Sequence, residues 1–284
     1  MESINNIGLL SVGACVPEGR FQLIYSHHAK VINFSCGELI VSVCTRDYCP
    51  GAFRIILDAD LLPELKTFTK LKHSIIFDSG KPVKISDKSI YLSLEFHLVP
   101  ERVILQKNIE KSFRDFSSLC SPESIYSMVS SYYRDENTFS AVLANSYRQG
   151  IKMFRENEFE NAVKCFKRKG IGLTPAGDDF LVGFLISIAW MSQVQKNELS
   201  KILKVIFVAS VGNDPLVNTF LTQAVTLKLD EDWAMFLTSL GTKEDESLGW
   251  MTKIISHGSS SGSDELSGFY LACSLYCNDI GLDY

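Results

Sequence analysis

The residues best suited to chemistry lie in a glycine-rich stretch that ends in two aspartates. Residues 170–183 read GIGLTPAGDDFLVG, so a glycine-rich turn leads directly into an apolar segment. We expect Thr174 to cap a helix that has Pro175 at its first position. The N–H groups of such a helix start suit a phosphate or carboxylate, and the pair Asp178 and Asp179 suits Mg²⁺ or a polar substrate group. The alternative is that Thr174 and Asp178 only cap the helix and complement its dipole.

A second stretch repeats this pattern. The order G-x-D-x-L-x-G-F of residues 177–184 recurs at residues 262–269. In both stretches the last glycine, Gly183 or Gly268, lies on the aspartate's face of the helix and lets another backbone come close. We infer that two central helices pack at these glycines and bring both aspartates towards one cleft. Two similar hairpins that share a packing motif without sharing a site are the alternative.

Other polar residues flank the first motif. Lys167, Arg168 and Lys169 precede its turn and offer local positive charge to an anion, although such a run is often only a solvated edge. Between the motifs, residues 213–219 could supply amide and hydroxyl groups to the same cleft, with helix capping by Asp214 as the alternative. The glycine spacing fits neither the Walker A motif nor the dinucleotide-binding motif.

The N-terminal part has the residue types of β-strands. Short runs rich in Val, Ile, Phe and Tyr are separated by turn residues. We predict strands at Phe34–Thr45, Phe53–Leu57, Ser74–Phe77, Val83–Ile85 and Ser89–His97, with a helical turn or two around Leu61–Leu71. Short strands at this spacing predict a small barrel or sandwich.

Beyond about residue 100 the pattern becomes helical. Ser121-Pro122-Glu123 and Asp214-Pro215 each place proline at the first position of a helix. Leu181–Met191 is apolar on every face, which is typical of a helix in the middle of a domain. We therefore predict an α+β fold, in which a β-rich domain at residues 1–105 packs on a mainly α-helical domain at residues 106–284 that carries both motifs.

Charge and hydropathy exclude several classes of partner. The chain has 28 Lys+Arg against 33 Asp+Glu, a formal net charge of −5, so it has no global positive field for nucleic acid or an anionic membrane. The longest apolar run, Phe180–Met191, is shorter than the ~20 residues that span a bilayer. We predict no nucleic-acid or membrane partner, and any anion must be bound locally.

The eight cysteines are scattered through the chain, unlike a disulfide framework. The closest pairs, Cys44 with Cys49 and Cys273 with Cys277, lack zinc-site spacing, and the five histidines do not complete such a site. Residues 1–6 contain no Lys or Arg, which disfavours a secretory signal. We expect a cytoplasmic protein with reduced thiols.

The two motifs resemble those of the AllH family. The family pattern, Gly-x-Gly-Leu-Thr-Pro-Ala-Gly-Asp-Asp-Phe-Leu-x-Gly with a later Ser-Ser-Gly-x-Asp-x-Leu-x-Gly, stands here at residues 170–183 and 260–268. The family's better-known member is a subunit of oxamate carbamoyltransferase in anaerobic allantoin breakdown. Between the motifs this chain departs from the family, because Asn213, Asp214 and Asn218 stand where a Thr/Ser-rich segment is usual. The exact substrate therefore stays open.

The resemblance implies carbamoyl transfer between oxamate and phosphate, in which phosphate cleaves oxalurate to oxamate and carbamoyl phosphate, or the reverse. It implies an anion held at two helix starts by Gly172, Thr174, Gly177, Ser261, Gly262 and Asn218, with Asp178, Asp179 and Asp264 as the catalytic carboxylates that orient the substrate amide or a cation. No cofactor is certain, and Mg²⁺ is a candidate. The expected partners are an FdrA-like protein and other carbamoyltransferase subunits.

Two other functions fit the same residues. The chain could be a non-catalytic ligand-binding or assembly subunit of such a complex. It could instead be a carboxylase or an acyl-phosphate enzyme that acts on another small acid.

Overall fold

The fold is that of a computed structural model, which describes residues 8–24, 29–78, 80–93, 101–131, 138–195, 199–243 and 246–277. The chain divides into two compact units. Unit 1 comprises Met1–Glu95 and Lys228–Ala234, and unit 2 comprises Phe96–Leu227 and Met235–Tyr284. Unit 1 is built on a β-sheet and unit 2 is helical. The predicted α+β class with an N-terminal β domain is confirmed.

One nine-stranded sheet forms the body of unit 1 among the described residues. Its strands are β1 Gly8–Gly13, β2 Gly19–Leu23, β3 Val31–Cys36, β4 Leu39–Cys44, β5 Arg54–Asp58, β6 Thr67–Leu71, β7 Ser74–Phe77, β8 Val83–Lys84 and β9 Ile90–Tyr91. They lie in the order β8-β7-β6-β2-β3-β4-β5-β1-β9. The pairs β4–β5 and β1–β9 are parallel, and the other pairs are antiparallel.

Aromatic side chains form much of the core under this sheet. Phe21 stacks on Phe68 with ring centroids 4.4 Å apart, and Phe34 meets Phe68 edge-on at 5.1 Å. Phe77 adds a tilted contact at 6.0 Å. All four side chains are buried, so alternate residues of neighbouring strands supply one continuous apolar face.

The short segment Lys228–Ala234 belongs to unit 1 through contacts with the turn before β5. Asp230 forms an isolated bridge with Gly51, and its carboxylate lies 3.0 Å from the Arg54 guanidinium in a partly buried ion pair. The backbone N–H of Glu231 donates to the carbonyl of Pro50. Unit 1 is therefore discontinuous in sequence.

Several strand predictions were wrong in detail. The run Phe34–Thr45 is two strands, because the chain reverses at Gly37, where φ is +64°. The segment Leu61–Leu71 ends in strand β6 where helical turns were expected. Strands β1 and β2 were not predicted. The run Ser89–His97 forms strand only at Ile90–Tyr91, and residues 94–100, like residues 1–7, lie outside the described residues.

The helices are α1 Arg102–Leu119, α2 Ile125–Ser130, α3 Phe139–Arg155, α4 Phe159–Lys164, α5 Ala176–Gln195, α6 Leu199–Ser210, α7 Pro215–Thr226, α8 Glu231–Leu240, α9 Ser247–Ile255 and α10 Ser261–Tyr276. Among the described residues, none of these helices combines the length and apolarity that crossing a membrane requires. Helix α7 begins as predicted, with Asp214 as its N-cap and Pro215 as its first residue. Helix α2 begins later than predicted, at Ile125, with Ser124 as its N-cap.

Helices α5 and α10 form the centre of unit 2. The predicted all-round apolar segment Leu181–Met191 lies within α5 and is buried throughout. Aromatic stacking fixes its first turns, because Phe166 lies on Phe180 with centroids 4.1 Å apart and Phe154 lies on Phe184 at 4.4 Å. The first turns of α5 are consequently packed against buried aromatic rings.

Candidate functional site

Helices α5 and α10 touch at the two motif glycines. A Cβ atom at Gly183 would lie 1.7 Å from the carbonyl oxygen of Glu265, and one at Gly268 would lie 1.9 Å from that of Phe180. No side chain fits at such distances, so each position requires glycine. The prediction that these glycines pack the two motif helices closely is confirmed.

Asp179, in the first turn of α5, is where the two motifs meet. Its Oδ2 accepts a hydrogen bond from Thr174 Oγ1 at 3.2 Å, and the Ser261 hydroxyl of α10 also hydrogen-bonds to it. Burial, with the charges of Glu265 and Asp264, raises the pKa of Asp179 well above its ordinary value, against the effect of the two hydroxyls. The side chain is only 4% exposed. This carboxyl group therefore connects the two helix starts from inside the protein.

Thr174 does not have the predicted capping geometry. Helix α5 begins at Ala176, one residue beyond the expected Pro175. The Thr174 hydroxyl donates to the Asp179 carboxylate. The N–H group of Gly177 donates to the carbonyl of Lys169, and those of Asp178 and Asp179 donate to the carbonyl of Pro175, so they do not need the Thr174 hydroxyl as an acceptor.

Asp264, in the first turn of α10, is directed at helix α2. Its Oδ1 accepts from the backbone N–H of Ile125, the first residue of α2, at 2.7 Å. Within the described residues its buried Oδ2 has no partner in hydrogen-bond geometry, although the Ser260 hydroxyl is near enough to favour the ionised form. Burial raises the pKa of Asp264 to about 7, opposed by the Ile125 N–H and the Ser260 hydroxyl.

Two serines of α10 accept hydrogen bonds from backbone N–H groups in and just before α2. Ser263 Oγ accepts from the N–H of Ser121 at 3.0 Å, and Ser267 Oγ accepts from the N–H of Tyr126 at 3.3 Å. Both serines are fully buried, as is Asp264. The second motif thus caps the start of α2 with buried acceptors from another helix.

Asp178 lies in a different environment from Asp179. Its Oδ1 accepts from the N–H of Arg168 at 3.0 Å, and Arg168 has a left-handed φ of +60°. The side chain is 3% exposed and lines a cavity of about 280 Å³ within unit 2. Burial raises the pKa of Asp178, and the positive charges of Arg168 and Lys167 oppose this.

Two cations line the same cavity. Lys167 Nζ is fixed by the carbonyls of Ala209 and Val211, at 2.9 and 2.6 Å. The Arg168 side chain is exposed at the cavity. The local positive charge expected before the first motif is therefore beside the cavity.

The loop between Arg168 and α5 is open to the cavity at Gly172 and Leu173. Gly170 and Gly172 have φ values of +121° and +119°, which favour glycine. Among the described contacts, the N–H groups of residues 170–174 donate to no acceptor. They are available to an anion.

Gly177 and Gly262 were expected to hold an anion, but in the structure they allow close backbone packing. A Cβ at Gly177 would lie 2.0 Å from the carbonyl oxygen of Phe166, and one at Gly262 would lie 1.7 Å from that of Ile254. Their own N–H groups already donate to backbone carbonyls. Both glycines serve close packing, and neither presents an N–H group to an anion.

Asn218 lines the cavity, but its amide is paired with the loop before α7. Its Oδ1 accepts from the N–H of Gly212 at 2.9 Å, and its Nδ2 donates to the carbonyl of the same residue at 2.8 Å. Asp214 also lines the cavity while its Oδ1 caps α7. Asn218 thus shapes the wall opposite the glycine loop.

Tyr147 was missed by the sequence reasoning. It is fully buried in α3, and its hydroxyl donates to the carbonyl of Lys169 at 3.0 Å. Burial, with the charges of Asp264 and Asp178, raises its pKa. A lone tyrosine in an amphipathic helix carries no local signal of this role.

The three motif carboxylates do not converge on one point. Within the described part of the chain, Asp178, Asp179 and Asp264 do not each place an oxygen within 4.8 Å of the other two, so the three together do not form one site for the candidate Mg²⁺.

We compared the sequence with models of known protein families. Residues 169–273 match the model of a family described as oxamate carbamoyltransferase subunit AllH. The matched segment is AllH-like. It contains both motifs, the glycine contact between α5 and α10, and all of α7. The AllH-like resemblance read from the motifs is confirmed. Searches of curated proteins and of solved structures found no match.

Proposed function

We propose that this chain is a subunit of an oxamate carbamoyltransferase-like enzyme and that the cavity beside Asp178 binds its small anionic substrate. The observation that carries the proposal is the AllH match, which covers every wall of this cavity except the two cations just before it, Lys167 and Arg168. The reaction is carbamoyl transfer between oxamate and phosphate, in the breakdown of allantoin.

The cavity supports anion binding in two ways. Lys167 and Arg168 provide positive charge in a chain that is acidic overall. Gly172 and Leu173 line the cavity next to the start of α5, and their N–H groups donate to no acceptor among the described contacts. A volume of about 280 Å³ suits a small metabolite, since pockets for drug-sized ligands begin near ~300 Å³.

Carbamoyl transfer passes through a tetrahedral centre with a developing oxyanion, which fixed donors stabilise. Arg168 and the loop N–H groups are the donors that this unit offers. Asp178 lines the cavity, whereas Asp179 and Asp264 are not among its lining residues, so we assign those two positioning roles. Asp179 holds the end of the loop through Thr174, and Asp264 holds α2.

The assay uses this chain reconstituted with its companion subunits, oxalurate and phosphate as substrates, and carbamoyl phosphate as the measured product. We expect Arg168→Ala to lower kcat/KM about 100-fold, as removal of one oxyanion donor does elsewhere. Arg114→Ala, which removes an exposed arginine from α1, is the control and should retain full activity. Full activity of Arg168→Ala would overturn the assignment of this cavity.

A non-catalytic assembly role is the second candidate, and the packing of the motif glycines and the burial of Asp264 favour it. Asp179→Asn and Asp264→Asn separate the two. Lost turnover in an intact complex supports the catalytic subunit. Lost assembly with normal residual turnover supports the assembly role.

We further propose that an FdrA-like protein and other subunits cover the cavity loop in the cytoplasm. Ile171 is 81% exposed and Leu173 is 47% exposed. Two large apolar side chains exposed to water in one loop favour a surface that a partner covers. All eight cysteines are free, as a reducing compartment allows. Size-exclusion chromatography of the mixed subunits tests this, because Ile171→Ser with Leu173→Ser should weaken co-elution.

A further inference from the structure

The cavity beside Asp178 is lined by donors as well as by an acceptor. Lys167 and Arg168 are cations, and Gly172 and Leu173 have N–H groups that donate to no acceptor among the described contacts. Asp178 is an acceptor that is 3% exposed and lies on the same cavity. A cavity built only for an oxyanion gains nothing from a buried carboxylate, because the two would repel each other and neither carries a proton to share.

Only one hydrogen bond of the Asp178 carboxylate is made among the described residues, the one from Arg168 N–H to Oδ1. The second oxygen, Oδ2, is not a buried atom without a partner, so it keeps some exposed surface. Asp178 lines the cavity, and we take this exposed surface to face the cavity. Asp214, the other carboxylate of the cavity, uses its Oδ1 to cap Leu216 and Val217. Asp178 is the buried carboxylate of this cavity, and its Oδ2 is an acceptor that a ligand in the cavity can reach.

This oxygen is held in a fixed place. Asp178 belongs to the first turn of the buried helix α5, and the Arg168 N–H fixes its other oxygen. Lys167 Nζ donates to the carbonyls of Ala209, in the last turn of α6, and of Val211, just after it. A ligand thus meets a preorganised acceptor and a preorganised cation in one small cavity.

We infer that the cavity selects small molecules that carry both an anionic group and an amide or carbamoyl NH₂, and that Asp178 accepts a hydrogen bond from that NH₂. This rests on the proposed function and deepens it, because oxamate and oxalurate belong to this class and simple carboxylates do not. Asp178 is the specificity-determining residue, since it is left with an unmet acceptor when the ligand lacks the N–H.

The test compares oxamate with pyruvate, which has the same charge and nearly the same shape but a methyl group in place of NH₂. Binding to the full chain is measured by isothermal titration calorimetry at pH 7.5. We expect the wild-type protein to bind oxamate at least 10-fold more tightly than pyruvate, because a site built to hydrogen-bond a group rejects the analogue that lacks it.

Asp178→Asn should reduce this preference to about 3-fold or less. The amide oxygen of the new asparagine still accepts from the Arg168 N–H, so its NH₂ group faces the NH₂ group of the ligand. Two donors cannot hydrogen-bond to each other. Asp87→Asn is the control, because it removes the same charge from an exposed aspartate that does not line the cavity. It should leave the preference of the wild type within 2-fold.

The outcomes are distinct. Equal binding of oxamate and pyruvate by the wild type overturns the inference without any variant. A preference that persists in Asp178→Asn also overturns it and leaves the proposed function standing. Failure of the wild type to bind oxamate, oxalurate or carbamoyl phosphate overturns both.

Discussion

The two motifs share one sequence pattern, yet their helix starts face different surroundings. The start of α5 opens onto a cavity with cations, whereas the start of α10 is closed by α2. The difference lies at the variable position between glycine and aspartate, which is Asp178 in the first motif and Ser263 in the second. The shared residues set the packing of the helices, and this variable position decides whether the start serves a ligand or another helix.

The largest expected effect tests the shared part. Gly183→Ala and Gly268→Ala should each lower the free energy of unfolding by about 3 kcal/mol or more, because the new Cβ meets a backbone carbonyl that cannot move aside. Gly249→Ala in α9, where a Cβ meets nothing within 4 Å, should instead stabilise the protein by about 0.5–1 kcal/mol. Urea denaturation measures all three. Similar free energies of unfolding for the three variants would contradict the close-packing role of Gly183 and Gly268.

The next effect concerns the closed start. Asp264 has a pKa of about 7 in the fold against ~3.9 in an unfolded chain, so the fold holds its proton more tightly. Its contribution to stability is present below pH 4 and is lost as pH rises to about 7, by an amount on the order of 3 kcal/mol between pH 4.5 and pH 7.5. Urea denaturation between pH 4.5 and 7.5 should show this loss. Asp264→Asn keeps the acceptor for the Ile125 N–H and should flatten the profile, whereas an unchanged profile would contradict the assignment.

A smaller effect separates the two variable positions. Ser263→Ala leaves the N–H of Ser121 without its acceptor and should cost about 1–2 kcal/mol of stability. Amide exchange should quicken in residues 121–130. Asp178→Asn, at the equivalent position of the first motif, should change stability by less than about 1 kcal/mol, since the Arg168 N–H keeps an acceptor. Equal losses of stability in both variants would contradict the proposed difference between the open start of α5 and the closed start of α10.

The smallest effect concerns the contact between loop and helix at the open start. Thr174→Val removes the hydroxyl that donates to Asp179 and should cost about 1 kcal/mol. It should also raise the pKa of Asp179 further, since one opposing hydrogen bond is lost. Thermal melts at pH 5 and pH 8 measure both. Thr252→Val, an exposed threonine of α9, is the control and should melt like the wild type.

The sequence was informative where local rules decide the outcome. The β-rich and helical parts, the buried α5 and the glycine contact with α10 all follow from hydrophobic pattern and spacing. The separation of Asp178 from Asp179 was also within reach, because neighbours on a helix point about 100° apart. Treating them as one pair was an error of periodicity.

Other features depend on contacts that no local pattern encodes. The capping of Ile125 by Asp264 joins residues far apart in the chain, and the Tyr147 contact with Lys169 joins α3 to the loop before α5. The hairpin at Gly37 was hidden because apolar residues continue on both sides of the turn. Such features emerge only when tertiary packing is known.

The discontinuity of unit 1 has a consequence for synthesis on the ribosome. The chain emerges from its N-terminus, so the strands are made long before Asp230 becomes available to Arg54. Unit 1 acquires its final ion pair only after the glycine loop, α5 and α7 have been made. All nine strands of the sheet are made before residue 92, whereas the turn before β5 lacks the carboxylate of Asp230 until most of the helical unit has been translated. A nascent chain halted before residue 228 would therefore contain the whole sheet but not the ion-pair partner of Arg54.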